Sequence, residues 1–183
     1  MKFCSTCGAT VTLRIPDGDN RERFVCDDCL TVHYQNPKIV AGCIPEWGGR
    51  ILLCKRAIEP RYGLWTVPAG FMENGESTEQ AAIRETWEEA GAHVKINSLY
   101  SIFSIPHISQ VYMLFRGELR DGHYQPGQES LQCKLFEESE IPWQKLAFPV
   151  VKETLQRYYV DKGQDNAFPL QRGEIIKHPA RKS

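Results

Sequence analysis

Apolar and polar residues alternate along this chain in short blocks, a pattern that favours strands joined by turns. Residues 39–56, IVAGCIPEWGGRILLCKR, predict a hairpin that bends at its two adjacent glycines. Further strands are predicted at 93–103, 109–119 and 133–136. Residues 140–160 are predicted to end as a helix whose apolar side carries Leu155, Tyr158 and Tyr159. With the helix described next, the predicted order is β-β-α-β-β-β-α.

A second helix is predicted between Thr78 and Ala90. Ser77 and Gln80 have the spacing of a capping box, and Gly91 is a natural residue to follow the last turn. Ala82 or Ile83, Trp87 and Ala90 recur at helical spacing and form an apolar stripe. We therefore expect this stripe, including Trp87, to face the core.

The N-terminal segment has the pattern of a small hairpin flanked by paired cysteines. Residues 10–25, TVTLRIPDGDNRERFV, contain two β-branched or apolar runs around a polar turn. The four flanking cysteines follow the spacing C-x2-C-x18-C-x2-C, which is typical of a structural zinc site with four thiolates: Cys4, Cys7, Cys26 and Cys29. Two disulfides or four free thiols are the alternatives.

Composition narrows these alternatives. The segment MKFCSTCGAT has no pattern of a signal peptide, so we expect a cytoplasmic protein, where disulfides are rare. A net charge of −1 supplies no basic field for nucleic acid, and no apolar run approaches a membrane span.

Three further cysteines lie in apolar, strand-like runs and are predicted to be small buried hydrophobic residues: Cys43, Cys54 and Cys133.

The stretch RETWEEAG, residues 84–91, places three carboxylates on one helix face. Glu85, Glu88 and Glu89 stand at i, i+3 and i+4, where like charges repel and raise carboxyl pKa values. A hard cation such as Mg²⁺ would remove the repulsion, since it prefers oxygen ligands. The alternative is a solvated acidic face.

The residues around this cluster resemble the Nudix box, G-x5-E-x7-R-E-U-x-E-E-x-G-U, where U is bulky and apolar. Gly70, Glu76 and the stretch 84–92 match every fixed glycine, glutamate and arginine. Thr86 and Ala92 depart from the pattern because both are small. The resemblance implies an α/β fold, namely a Nudix α/β/α sandwich with a mixed sheet, preceded by a small zinc-ribbon β domain. The expected division is a ribbon at 1–36, a Nudix domain at 37–160 and a tail at 161–183.

The resemblance also implies roles for individual residues. Glu85 and Glu89 would be the principal ligands of Mg²⁺ or Mn²⁺. Glu88 would be a ligand or would orient water, and the Gly70 carbonyl would be a further ligand. Arg84 would orient a glutamate by ion pairing, with Glu76 as the candidate partner. The catalytic base would be Glu85, Glu88 or Glu129; a solvated loop acid is the alternative for Glu129.

The substrate depends on residues outside the box. A zinc ribbon before a Nudix domain resembles NADH pyrophosphatases, but the S-Q-P-W-P-F-P run of that family is absent here. Residues 3–159, including YQNPKIVAGC and PGQESLQCKLF, resemble a group that contains plant chloroplast FAD and ADP-ribose pyrophosphatases. This implies hydrolysis of ADP-ribose or FAD, ahead of NADH or an NAD-capped RNA, to AMP and a phosphorylated product.

Candidate substrate contacts lie outside the box, with structural roles as the alternative in each case: Arg56 for a phosphate, and Phe71, Gln110 and Tyr112 for the base or ribose. A small nucleotide is the expected ligand, nucleic acid is not expected, and a homodimer is expected. The tail is either a linker-like end or packs on a partner subunit. A different class, an adaptor that uses the ribbon to bind nucleic acid or a partner, is disfavoured by the complete set of glutamates.

Overall fold

A computed structural model describes residues 1–164 and 167–176 of the chain. The backbone divides into two compact units, one of residues 1–37 and one that begins at Lys38. The first unit is a three-stranded antiparallel sheet in the order β1-β2-β3, with strands β1 (Val11–Arg14), β2 (Arg23–Cys26) and β3 (Val32–His33). The predicted hairpin is confirmed as β1 and β2. Cys4, Val25 and Cys26 are the only buried residues of this unit.

The second unit is built around a mixed sheet in the order β10-β5-β4-β9-β8-β11. Its elements, in chain order, are β4 (Lys38–Trp47), β5 (Arg50–Arg56), β6 (Trp65–Thr66), β7 (Ala69–Phe71), α1 (Thr78–Ala90), β8 (Val94–Ile105), β9 (Gln110–Leu119), β10 (Ser130–Phe136), α2 (Pro149–Lys162) and β11 (Gln171–Glu174). The pairs β4–β9 and β8–β11 are parallel, and the other pairs are antiparallel. The predicted α/β fold with a mixed sheet is confirmed.

The two helices pack on opposite faces of this sheet. Alternate residues of β5 point to opposite faces, so Ile51 and Leu53 contact the α2 side, whereas Leu52 and Cys54 contact the α1 side. The α2 side contains the larger apolar cluster, which includes Tyr100, Phe103, Leu114, Val151, Leu155 and Tyr158. The α1 side contains a smaller cluster, which includes Cys43, Ala90, Ala92, Leu119 and Cys133. Cys43, Cys54 and Cys133 are buried, as predicted.

Strand β11 was not predicted from the sequence. It pairs in parallel with β8, with Gln171 opposite Ser101, and therefore adds an edge to the sheet from within residues 161–183. Its sequence, QRGE, lacks the apolar alternation that identifies a strand, so only its backbone pairing defines it. The rest of the predicted tail at 165–166 and 177–183 lies outside the described residues.

Helix α1 has the predicted ends but a different buried face. Ser77 accepts a hydrogen bond from the Gln80 backbone N–H, the Gln80 side chain accepts one from the Ser77 backbone N–H, and Gly91 ends the helix in the left-handed conformation. The prediction that Trp87 is buried was wrong: it is 48% exposed and stacks on His93 at 4.4 Å. The face toward the sheet is made instead of small residues and two glutamates: Ala81, Ala82, Glu85, Thr86, Glu89 and Ala90.

Neither helix in the described part of the chain has the length and apolar composition that a membrane span requires.

Candidate active site and zinc site

The acidic cluster lies where α1 packs against strand β7. Glu85 and Glu89 are 9% and 6% exposed, so both belong to the sheet-facing side of the helix. Glu88 lies beside them with its side chain about half exposed. A Cβ added at Gly70, in β7, would overlap the carboxylate of Glu85, so a side chain at this position would displace that carboxylate. The structure thus brings the four proposed metal-binding residues to one place.

Arg84 connects the cluster to the loop that precedes it. Its guanidinium makes two hydrogen bonds to Glu76, Nε–Oε2 at 3.0 Å and Nη2–Oε1 at 2.7 Å. It also donates to Glu85 at 2.6 Å, to Glu88 at 3.0 Å and to the carbonyl of Phe71 at 3.1 Å. The hydrogen bonds to Arg84 lower the pKa of Glu76 to about 2. The Arg84–Glu76 ion pair expected from the sequence is therefore present, and Arg84 holds one face of the cluster in place.

Burial of Glu85 and Glu89 favours binding of a cation at this cluster. Desolvation, followed by the charge of Glu85, raises the pKa of Glu89 to about 8. Desolvation likewise raises the pKa of Glu85, although Arg84 opposes the shift. Within residues 1–164 and 167–176, no Lys, Arg or His nitrogen lies within 4.0 Å of the Glu89 carboxylate. Glu85 and Glu89 are buried with incomplete neutralisation, and carboxylate oxygens are the ligands that Mg²⁺ and Mn²⁺ prefer. In the described residues no three acidic side chains have oxygens within 4.8 Å of one another, so the residue types fit the cation without forming a closed cage.

The loop before β10 brings Glu129 to the same neighbourhood. Gly127 donates its N–H to the Glu89 carbonyl at 3.0 Å, and a Cβ at Gly127 would overlap the Glu88 carbonyl oxygen. Glu129 follows two residues later with an exposed side chain, and its charge contributes to the raised pKa values of Glu85 and Glu89. Sequence reasoning missed Gly127 as a positioning residue. Its Pro-Gly dipeptide indicated a turn but not the partner against which the turn packs.

Arg56 and Tyr112 also lie near the acidic cluster. Burial raises the pKa values of Glu89 and Tyr112, and the positive charge of Arg56 partly opposes both shifts. The Arg56 Nε donates to the Pro60 carbonyl at 3.0 Å, and its guanidinium carbon lies 5.2 Å from the centroid of the Phe148 ring. No carboxylate lies within 4.0 Å of Arg56 in the described part of the chain. Arg56 thus keeps a positive charge available to an anion.

Phe71 ends β7 and Gln110 begins β9, and both strands pair with β4. Phe71 is opposite Val40 across β4 and β7, and Tyr112 is opposite Val40 across β4 and β9. Gln110 is opposite Lys38, whose Nζ lies 4.8 Å from the centroid of the half-exposed Phe71 ring. Lys38 was not predicted as a site residue, since a single lysine at a strand start carries no sequence signal of a site.

The four N-terminal cysteines form a compact sulfur cluster. Their Sγ atoms all lie within 4.8 Å of one another, with Cys4–Cys29 at 3.7 Å and Cys7–Cys26 at 3.4 Å. Burial disfavours the Cys4 thiolate, but hydrogen bonds from the backbone of Cys7 and Thr6 outweigh it and lower the pKa of Cys4 to about 5. Hydrogen bonds from Thr31 also lower the pKa of Cys29. The set of four sulfur donors, two of them favoured as thiolates, fits a closed zinc site.

His33 adds a contact to this cluster that the sequence did not predict. Its Nε2 lies 3.3 Å from the Cys4 Sγ, because β3 pairs His33 with Phe24 next to the cysteine knuckles.

Comparisons with known proteins agree with this geometry. The family described as "NUDIX domain" matches residues 36–158, and the family described as "Nudix N-terminal", a zinc ribbon, matches residues 2–35. The chain therefore belongs to the Nudix family and carries the family's N-terminal zinc ribbon.

A solved structure and two curated relatives are similar to this chain. The crystal structure of a NUDIX hydrolase from Nitrosomonas europaea is 55% identical, with a TM-score of 0.90, and the match covers 96% of this chain and 100% of that one. An NAD-capped RNA hydrolase NudC from Photobacterium profundum is 32% identical over 87% of this chain and 57% of its own length. An ADP-ribose pyrophosphatase from Methanocaldococcus jannaschii is 34% identical over 63% of this chain and 69% of its own. The chain thus spans little more than half the length of the NudC relative.

Proposed function

We propose that this protein is a divalent-metal-dependent pyrophosphohydrolase that cleaves the diphosphate of nucleoside diphosphate derivatives. The observation that carries the proposal is the buried pair Glu85 and Glu89, which lies with Glu88 beside Gly70 and is held by Arg84. Buried carboxylates that repel one another cost stability unless a cation joins them. A site that binds such a cation beside the free charge of Arg56 suits a substrate with adjacent phosphates.

In the proposed mechanism, Glu85 and Glu89 would hold Mg²⁺ or Mn²⁺ together with the Gly70 carbonyl and Glu88. When bound, the cation offsets the negative charge that develops on the diphosphate oxygens and makes water more acidic. Arg84 keeps the carboxylates oriented, and Arg56 binds a phosphate of the substrate. Glu88 or Glu129 accepts the proton of the attacking water, whose oxygen forms a bond to phosphorus as the bridging P–O bond breaks.

We propose ADP-ribose or FAD as the preferred substrate class, with AMP as one product. Support comes from the absence of the S-Q-P-W-P-F-P run and from similarity to the Methanocaldococcus jannaschii ADP-ribose pyrophosphatase. Phe71 presents a half-exposed ring to stack on a base, and Gln110 and Tyr112 lie on the adjacent strand β9.

A second candidate is hydrolysis of NADH or of the NAD cap of an RNA. The observation in its favour is the similarity to NAD-capped RNA hydrolases, which in one case extends over 167 residues and 87% of this chain. The expectation that nucleic acid is not a partner therefore stays an open prediction, as does the expected homodimer.

A substrate panel separates the two candidates. The measurement is kcat/KM for ADP-ribose, FAD, NADH, an NAD-capped RNA oligonucleotide and a nucleoside triphosphate at one Mg²⁺ concentration, with AMP or its RNA equivalent as the readout. We expect ADP-ribose or FAD to lead by roughly tenfold or more, about the effect of one buried hydrogen bond to the second half of the substrate. A lead for NADH or capped RNA selects the second candidate. No Mg²⁺-dependent hydrolysis of any diphosphate would refute the proposed function.

A further inference from the structure

Two cysteines outside the zinc site lie side by side next to the acidic cluster. Cys54 on β5 is directly opposite Cys133 on β10, and their sulfur atoms are 3.5 Å apart. Cys133 also places its sulfur 3.5 Å from the carbonyl oxygen of Glu89. The proposed hydrolysis uses neither thiol. We propose that Cys54 and Cys133 are a reversible oxidation site, and that the disulfide between them weakens metal binding by the Glu89 end of α1.

The backbone already has the separation that a disulfide needs. Residues directly opposite in an antiparallel pair have Cα atoms roughly 4.5–5.5 Å apart, and disulfides join Cα atoms roughly 4.4–6.8 Å apart. The sulfur atoms must approach by only about 1.5 Å to reach the S–S bond length. Side-chain rotation therefore suffices, and the two strands can keep their register.

The link to the metal site is the hydrogen bond from Cys133. The Cys133 S–H can donate to the Glu89 carbonyl or to the Cys54 sulfur, each at 3.5 Å, and the Glu89 carbonyl also accepts the N–H of Gly127 at 3.0 Å. A disulfide has no S–H, so oxidation removes one of these two donors and draws the Cys133 sulfur toward Cys54. Hydrogen-bond partners of a ligating group typically change metal affinity by about 10- to 100-fold when they are lost; Cys133 contacts the Glu89 backbone and not its carboxylate, so we expect the lower end of this range. This consequence rests on the proposed function, whereas formation of the disulfide does not.

A hydroperoxide is the chemical class of oxidant that completes the reaction. Cys133, which is 9% exposed against 1% for Cys54, attacks one peroxide oxygen. The O–O bond breaks, and with hydrogen peroxide the products are a sulfenic acid and water. The Cys54 sulfur then attacks the Cys133 sulfur, the S–O bond breaks, and a second water leaves. The two sulfurs lose two electrons in all, the peroxide gains them, and both thiol protons end in water.

The test is peptide mapping of the zinc-loaded, full-length protein after graded hydrogen peroxide and thiol alkylation. We expect a linked peptide that contains Cys54 and Cys133, a rise of roughly tenfold in the Mg²⁺ concentration for half-maximal hydrolysis, and reversal by dithiothreitol. Cys54→Ala and Cys133→Ser should each lose the linked peptide and the peroxide-induced shift. Cys43→Ser is the matched control, since Cys43 is buried in the same apolar cluster and has no thiol hydrogen bond in the described residues.

Zinc content is measured in parallel, because peroxide also reaches the four N-terminal cysteines. Zinc release without a Cys54–Cys133 peptide would overturn the oxidation site. A linked peptide that leaves the Mg²⁺ requirement unchanged would overturn its effect on the metal site. A reduced wild-type protein with no hydrolase activity would instead refute the proposed function, and the mapped linkage would still decide whether the disulfide forms.

Discussion

The ribbon and the Nudix core each contain a cluster of proposed metal-binding residues, but they differ in the amount of apolar core around it. In residues 1–37 only three residues are buried, and four sulfur atoms gather within 4.8 Å of one another. In the unit that begins at Lys38, two apolar clusters flank the sheet, and carboxylates that repel one another are held against it. We therefore expect the ribbon to need zinc in order to fold, and the core to fold through apolar packing that offsets the cost of the buried acidic site.

Loss of the zinc site should have the largest effect. Cys4→Ser removes one of four ligands, so the ribbon should lose zinc and unfold, because structural zinc supplies on the order of 10 kcal/mol to such units. The core should keep its own melting transition. The measurements are elemental analysis and limited proteolysis within residues 1–37, with Ser5→Ala, an exposed neighbour, as control. Full zinc content with an uncleaved ribbon in Cys4→Ser would show that the comparison is wrong.

Loss of an acidic ligand should affect catalysis and not folding. Glu85→Gln removes a carboxylate that is buried at an energetic cost, so we expect kcat to fall by at least about 100-fold while the melting temperature does not fall. Glu79→Gln, at an exposed position in the first turn of the same helix, is the control and should keep wild-type activity. Retention of a tenth of the wild-type kcat at saturating Mg²⁺ would remove Glu85 from its proposed role.

The guanidinium of Arg84 should have an intermediate effect. Arg84→Lys keeps the charge but cannot reproduce the paired bonds to Glu76 together with those to Glu85 and Glu88, so we expect kcat/KM to fall by about tenfold. Glu76→Gln should act through the same contact, and the double variant should lose less than the product of the two single effects. Fully multiplicative losses would mean that Arg84 and Glu76 act independently.

The smallest effect is expected at Trp87. Because its side chain is half exposed and stacks on His93, Trp87→Ala should lower the free energy of unfolding by less than about 1 kcal/mol. The buried position that the sequence pattern predicts would cost about 3–5 kcal/mol. Chemical denaturation distinguishes the two, and a loss above about 2 kcal/mol would contradict the exposed position. His93→Ala, which removes the stacking partner, is the companion variant.

Local signals in the sequence predicted α1 well but misassigned its buried face. The capping box at Ser77 and the left-handed Gly91 give the helix its ends, and both are read from neighbouring residues. The buried face depends on what the helix packs against. Small residues such as Ala82 and Thr86 let α1 pack close to the sheet. Glu85 and Glu89 lie on the same face of the helix and are therefore buried as well. Residue size and hydrophobicity alone predict that Trp87 is buried. Its exposed position shows that the packing of α1 on the sheet decides which face of the helix is buried.

Features that depend on partners distant in sequence could not be predicted. Strand β11 exists because β8 offers an edge, and its own residues are polar. Gly127 matters because it fits against the end of α1, and Cys54 meets Cys133 only through the register of β5 and β10. Each of these depends on contacts between elements, which a single sequence does not encode as a local pattern.

The central claim is that the acidic face of α1 binds a divalent cation, and Mn²⁺ binding tests it directly. Electron paramagnetic resonance would count free Mn²⁺ during titration of the zinc-loaded protein and of Glu89→Gln, with Glu79→Gln as control. We predict that the wild type and Glu79→Gln bind Mn²⁺ alike and that Glu89→Gln binds at least about tenfold more weakly. Equal binding by the wild type and Glu89→Gln, or no binding by the wild type, would contradict the claim.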